Sequence, residues 1–302
     1  MLKTTRRNFL GGAGLLGAAL LAGCSSSTES DDSTDETDDS DSADETDDAS
    51  EDETDATDAD DTSATATGTL ILGFDSAYPP YGYVDDDGEY AGFDIDLATE
   101  VCARVGWELQ LEPIDWDAKD TLLNSGAINC IWNGFTVEGR EDDYTFSGSY
   151  MINAQVVVVR ADSGIAELAD LEGAAVITQT DSAALDVLEG DQADLAATFA
   201  SLETIGDYNT AFMQLESGAV DAVACDLSIA AYQLAADEDG VYVMLDEQLS
   251  AEHYAVGFKL GDTATADTVT ETLLEMDADG FVEELCAAYE DDGISYENWC
   301  LE

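Results

Sequence analysis

Two residues of this chain carry the charges needed to hold a small zwitterion by both ends. Arg140 supplies a planar guanidinium, which forks onto a carboxylate with two hydrogen bonds where a lysine ammonium offers only a point charge. It lies just beyond an apolar run, in a chain with very few cations. The competing reading is a surface arginine paired with Glu141 or Asp142. Asp226 follows a second apolar run and supplies an anion for an ammonium; it could equally cap the helix expected from Leu227. Asp75 is a third candidate for the ammonium, in competition with a turn. Tyr78 and Trp116 offer flat apolar area to cover a ligand's body, against a role as core or rim aromatics, whereas Trp132, inside an apolar run, reads as core. Thr136 is placed to hydrogen-bond the carboxylate, and the backbone near Gly134 to donate to it. Asp181 and Ser182 stand between an expected strand and helix, where a helix N-terminus attracts anions, and are candidate cleft residues.

The elements that position these residues are announced by a repeated phrase. Leu123-Asn124-Ser125-Gly126-Ala127-Ile128-Asn129-Cys130-Ile131 returns as Leu215-Glu216-Ser217-Gly218-Ala219-Val220-Asp221-Ala222-Val223. Each copy reads as a helix end, a glycine in the left-handed position after it, and a short buried strand. Polar residues follow both strands, Asn133-Gly134-Phe135-Thr136 and Asp226. Ligands of open α/β sheets sit beyond the carboxyl ends of strands, so two copies point to two lobes facing one cleft. The rest alternates accordingly. Strands are expected near Thr69 to Phe74, Glu108 to Pro113, Asn129 to Trp132, Gln155 to Arg160, Ala174 to Thr178, Ser201 to Thr204, Ala222 to Cys225, Tyr242 to Leu245 and Tyr254 to Lys259. Helices are expected from Asp94 to Val105, Trp116 to Asn124, Ser182 to Glu189, Tyr208 to Ser217, Leu227 to Ala236, Ala264 to Asp277 and Phe281 to Tyr289. This alternation implies parallel sheets in an α/β architecture. Asp85-Asp86-Asp87-Gly88 lacks the later ligands of a calcium loop and reads as a hairpin turn.

Composition bounds the function class. The chain has 302 residues, with 8 Lys+Arg against 69 Asp+Glu. Beyond the amino-terminal segment only Arg104, Lys119, Arg140, Arg160 and Lys259 are cationic, so no basic patch exists for nucleic acid. Such acidity favours a soluble monomer and suits a saline medium, where screening is strong. Residues 1–23 read as an export signal: Lys3, Arg6 and Arg7 precede a short apolar run, Thr5-Arg6-Arg7-Asn8-Phe9-Leu10 fits twin-arginine routing, and Leu21-Ala22-Gly23-Cys24 fits lipoprotein processing with Cys24 lipidated. In residues 24–68 almost nothing but Ser, Thr, Asp, Glu and Ala follows Cys24, with no apolar periodicity, an acidic tether too polar to form a core. Cys102, Cys130, Cys225, Cys286 and Cys300 remain, an odd number, with Cys286 and Cys300 a plausible disulfide. No Cys/His cluster suggests a metal, and no cofactor is expected.

Four motifs in order give the folded part a family resemblance. Leu72-Gly73-Phe74-Asp75-Ser76-Ala77-Tyr78-Pro79-Pro80-Tyr81, Ala91-Gly92-Phe93-Asp94-Ile95-Asp96-Leu97-Ala98, Asn133-Gly134-Phe135-Thr136 with Arg140, and Ala222-Val223-Ala224-Cys225-Asp226 resemble the extracytoplasmic solute-binding proteins of ABC transporters, in the polar amino-acid branch (family 3 type). The resemblance implies an α/β, two-lobed periplasmic-binding-protein-like (type II) fold with two crossing hinge strands. Lobe 1 would be residues 69–154 with 257–302, and lobe 2 residues 159–252. It adds Asn133 to the ligand-binding loop. Thr136-Val137-Glu138-Gly139-Arg140 is one residue shorter than the family pattern, with Gly139 allowing a tighter turn. The implied protein is no enzyme. It would be a lipid-anchored binder on the outer face of the cytoplasmic membrane, closing on a free amino acid and docking on a membrane permease. A neutral polar ligand, such as glutamine or cystine, is expected ahead of a basic one. An acidic ligand would want a second cation, for which Lys119 is the nearby option. The alternatives are a sensor acting through a receptor and an exported dehydratase on the same fold. The only histidine, His253, lies by a hinge and reads as structural, which gives the dehydratase little to work with.

Overall fold

The computed structural model describes residues 68–302, so the expectations for the export signal, Cys24 and the acidic tether lie outside the described residues. In chain order the strands are β1 (Thr69–Phe74), β2 (Ala77–Tyr78), β3 (Gly82–Val84), β4 (Tyr90–Ala91), β5 (Glu108–Pro113), β6 (Cys130–Thr136), β7 (Tyr144–Phe146), β8 (Met151–Arg160), β9 (Ala175–Gln179), β10 (Ser201–Ile205), β11 (Ala222–Asp226), β12 (Tyr242–Met244) and β13 (Ser250–Lys259). The helices are α1 (Phe93–Val105), α2 (Lys119–Ser125, entered through a 3-10 turn at Trp116–Ala118), α3 (Ala183–Glu189), α4 (Ala193–Ala196), α5 (Tyr208–Ser217), α6 (Leu227–Ala236), α7 (Thr263–Ala278) and α8 (Phe281–Ala288). Among the described residues no helix is long and apolar enough to cross a membrane.

The repeated phrase folds the same way twice. Both helices end in a left-handed glycine, Gly126 at φ 79° and Gly218 at φ 76°. The next amide reaches back five residues in each copy, Ala127 N to Leu122 O at 3.0 Å and Ala219 N to Gln214 O at 2.9 Å, the bond that satisfies an otherwise unpaired helix carbonyl. The chain is thereby turned straight into β6 and β11, every residue of which is buried.

One sheet joins both lobes, in the order β10-β9-β11-β8-β13-β6-β1-β5, with β12 beside β8 and β7 beside β13. It is mixed, not parallel throughout. β1 runs parallel to β5 and β6, and β9 parallel to β10 and β11. Within this sheet the antiparallel pairs all involve β8 or β13, and β2, β3 and β4 form a separate antiparallel sheet. The strands β8 and β13 make the crossing. β8 pairs with β13 from Met151 to Gln155 and with β11 from Gln155 to Val159, while β13 pairs with β8 from Ser250 to Tyr254 and with β6 from Tyr254 to Phe258. A strand that belongs to both lobes meets a neighbour of the opposite direction in each, which the alternation of strands and helices does not reveal.

Two further expectations are corrected. The first strand of the repeat does not open into a loop at Asn133: β6 continues to Thr136, because its backbone goes on pairing with β13 (Phe135 with Ala255, Thr136 with Tyr254). Asn133 is accommodated by accepting a hydrogen bond from the Asp75 amide at 2.9 Å, and Phe135 packs against Trp116 and Tyr144. Cys286 and Cys300 form no disulfide; both are free thiols, Cys286 buried on the inner face of α8 and Cys300 directed at the Ser149 carbonyl.

Gly92, at φ 143°, lets the chain enter α1 directly over β3. A Cβ there would overlap the Tyr81 carbonyl and lie 2.8 Å from the Gly82 amide. Gly92→Ala is therefore expected to destabilise the protein by about 2–4 kcal/mol from backbone strain and overpacking. That corresponds to a fall in Tm of roughly 5–15 °C for a domain of this size, measurable by calorimetry, and an unchanged Tm would contradict the packing described.

Candidate functional site

The strand ends of the two lobes meet at a small cleft lined by Tyr78, Trp116, Asn133, Gly134, Thr136, Arg140, Gln179, Ser182, Ala183 and Asp226. Arg140 reaches it from a turn held by its own amide, which donates to Val137 O at 3.0 Å. Its guanidinium lies 5.1 Å from the Phe135 ring centre. Nη1 donates to Thr136 O at 3.3 Å and Nη2 to Asp186 Oδ2 at 2.8 Å. The partner is neither Glu141 nor Asp142 but a carboxylate of α3, from the opposite lobe. Asp186 is well exposed, so this pair is weak by the standard of surface ion pairs and a ligand carboxylate can take its place.

Asp226 ends β11 on the other wall. It stands at the N-cap position of α6, but its side chain makes no capping bond. All its protein donors reach Oδ1: Asn153 Nδ2 at 3.0 Å, Gln155 Nε2 at 2.7 Å and Tyr254 OH at 2.9 Å. None of these three donors meets Oδ2, which leaves that oxygen for an ammonium. Three donors on one oxygen also fix the carboxylate's direction, which is the condition for a preorganised anion site.

The aromatic wall is held by its polar tips. Tyr78 OH lies 3.2 Å from Tyr254 OH, and its ring packs on Tyr81 and Tyr208. Trp116 Nε1 donates to Asp181 O at 3.1 Å. Ser182 caps α3, accepting from the Leu185 amide at 3.2 Å, and its hydroxyl lies 3.2 Å from Thr178 Oγ1.

Two expected site residues join the lobes without lining the cleft. Asp75 keeps its turn role through Oδ1, which accepts from the Ala77 amide at 2.8 Å, and bridges to lobe 2 through Oδ2, which accepts from Gln179 Nε2 at 2.7 Å. Burial raises its carboxyl above the usual range, against the pull of those two bonds. Asp181, at φ 59°, turns its carboxylate onto the buried Lys119 ammonium. That contact occupies the Lys119 ammonium. Two donor assignments also change. The Gly134 amide points to Asp94 Oδ2 at 2.7 Å, away from the cleft, and the Thr136 hydroxyl donates to Glu252 Oε1 at 2.9 Å. Asp94, fully buried, also takes the Tyr150 hydroxyl on both oxygens. Burial pushes its carboxyl up to about 7, opposed by these bonds. It anchors the floor of the cleft from α1. Gln179 and Ala183, which line the cleft, and Glu252, which shares the donors of Asp226, are residues that sequence reasoning missed. The signal for Gln179 was its place at the end of β9, and for Ala183 its place as the first residue of α3. For Glu252 it was the two-residue alternation that sets it on the same face as Tyr254.

Glu252 is the least expected neighbour. Its Oε1 accepts from Asn153 Nδ2 at 2.6 Å and Gln155 Nε2 at 2.8 Å, the same two nitrogens that serve Asp226. Burial first, and the Asp226 charge second, push its carboxyl up to about 7. His253 points the other way, to Glu138 on the surface at 2.7 Å. No metal-ligating cluster occurs among the described residues.

The sequence profile described as "Bacterial extracellular solute-binding proteins, family 3" matches residues 70–291. The L-cystine-binding protein TcyJ of Escherichia coli (strain K12) is 27% identical over 221 residues, covering 72% of this chain and 81% of that protein. The arginine-binding extracellular protein ArtP of Bacillus subtilis (strain 168) is 26% identical over 219 residues, covering 72% and 84%. In three dimensions the chain is similar to an ABC uptake transporter substrate-binding protein from Streptococcus pneumoniae with bound histidine. The TM-score is 0.72 at 32% identity, over 76% of this chain and 95% of that one.

Proposed function

Because the chain belongs to the bacterial extracellular solute-binding proteins of family 3, we propose that it captures a free amino acid by lobe closure and passes it to the permease of an ABC transporter. The observation that carries this reading is the placement of Arg140 and Asp226 across one small cleft, a fork for the α-carboxylate on one wall and a directed carboxylate for the α-ammonium on the other. Tyr78 and Trp116 flank the space left for a side chain. The open form would take the ligand on lobe 1 through Arg140, and lobe 2 would bring Asp226 to it. Only contacts present in the closed state and absent from the open one shift that equilibrium.

A neutral polar amino acid, with cystine or glutamine first, suits the cleft best. An acidic side chain would need a cation, and Lys119 is already held by Asp181. The relatives named for cystine and arginine support an amino-acid ligand of this size range. The amino-terminal segment is proposed to export the chain, with lipidated Cys24 and the acidic tether holding a monomeric binder at the outer face of the cytoplasmic membrane.

A thermal-shift screen of the common amino acids and cystine tests the proposal. A ligand at a hundredfold excess over Kd stabilises by about 2.7 kcal/mol, a rise in Tm of roughly 5–10 °C here. If no amino acid moves the transition, the proposal fails.

A further inference from the structure

We infer that Glu252 is a second anionic arm of the ammonium subsite, ionising as the ligand's ammonium settles against Asp226, so that capture releases a proton. The inference rests on the amino-acid reading above and goes beyond it, since nothing in the captured ligand's shape requires a carboxyl at this hinge position.

The argument begins with shared donors. Asp226 Oδ1 and Glu252 Oε1 are both hydrogen-bonded to Asn153 Nδ2 and Gln155 Nε2. Two carboxyl oxygens held on the same pair of nitrogens are close neighbours, and both groups are buried. Like charges in such a site do not ionise together at little cost; one member keeps a proton. Glu252 is the member that keeps it. It gains no cation from any packed element: Thr136 reaches it from β6, Asn153 and Gln155 from β8, and Asp226 from β11. Arg140, on the turn after β6, spends its guanidinium on Thr136 O and Asp186. On its own strand Tyr254 donates to Asp226, with Tyr78 behind it, and His253 turns outward to Glu138. All three donors to Glu252 reach Oε1, so the proton belongs on Oε2. The rise of this carboxyl to about 7 agrees with the geometry.

An ammonium arriving at Asp226 supplies the missing positive charge. The Glu252 O–H bond then breaks, its proton passes to solvent, and the electron pair stays on the carboxylate. The subsite goes from one negative charge to two, facing one cation. Binding that releases a proton strengthens as pH rises through the free group's pKa and weakens as pH falls below it.

Isothermal titration at pH 7 in phosphate and in Tris, whose ionisation enthalpies differ, measures the proton directly. The probes are L-cystine, L-glutamine, L-arginine and L-histidine, each on the unaltered protein. For a ligand that binds, the buffer dependence is expected to report release of about half a proton at pH 7, approaching one near pH 6, with affinity falling by up to about tenfold per pH unit below 7. Glu252→Gln, which keeps an acceptor for the three donors, should bind with no proton release and a flat pH profile. His253→Gln should release as the wild type does. Binding by the wild type with no buffer dependence overturns this inference alone, as does release that survives Glu252→Gln or disappears in His253→Gln. If none of these probes binds, the amino acid selected by the thermal-shift screen takes their place, and if that screen selects none, the amino-acid reading falls and this inference with it.

Discussion

Arg140→Ala is expected to lower amino-acid affinity by a factor between about 30 and several thousand, the equivalent of about 2–5 kcal/mol for truncating one partner of a desolvated charge pair. The guanidinium sits at the cleft with one nitrogen on Thr136 O and another on a replaceable carboxylate, so its fork is already aimed. Losing the Asp186 pair costs the fold little, since that partner is exposed. Titration calorimetry should thus show lost binding with a Tm close to wild type. Arg140→Lys separates charge from geometry. It keeps the cation and loses the bidentate grip, so an intermediate loss of about tenfold is expected. Undiminished affinity in Arg140→Ala would place the carboxylate site elsewhere.

Asp226→Asn should have an effect of similar size. The amide oxygen can still accept from Asn153, Gln155 and Tyr254, so the hinge network survives. The ammonium loses its directed counter-ion, and affinity is expected to fall by about a hundredfold, within the same range for a buried charge partner. Glu252, relieved of its like-charged neighbour, then ionises more readily and replaces part of the lost charge. The substitution should leave Tm unchanged or raise it, because it removes a charge from a buried site. Calorimetry and a melting curve decide it, and an affinity within threefold of wild type would remove Asp226 from the ammonium subsite. The pair of results also tells a binding residue from a structural one: both substitutions should abolish ligand-induced thermal stabilisation while leaving the unliganded protein folded.

Much of this site could be read from residue types and spacing. The repeated helix-glycine-strand phrase is local chemistry: a glycine free of the Cβ penalty at the helix end, then a β-branched or apolar run. It therefore named β6 and β11, and the residues just past them, without any tertiary knowledge. Tyr78, Trp116, Asn133, Gly134, Thr136, Arg140, Ser182 and Asp226 all line the cleft. What spacing could not supply was direction. Gly134 is at the cleft, but its amide faces Asp94; Asp181 lies beside it, but its carboxylate faces Lys119. Donor direction depends on which partner lies within 3 Å after the lobes pack, and no pattern in the chain encodes that.

The amino-acid sequence by itself determined the α/β class, the two similar strand-end sites and the scarcity of cations that makes Arg140 conspicuous, because propensity, periodicity and charge count are properties of neighbouring residues. Only the tertiary structure decided that Arg140 meets Asp186, that Lys119 is taken by Asp181, and that Glu252 shares its donors with Asp226. Each of those contacts spans dozens of residues along the chain and exists because β8 and β13 cross between the lobes. Burial at that crossing removes water from Glu252, and the loss of water is what sets its carboxyl apart from an ordinary acid.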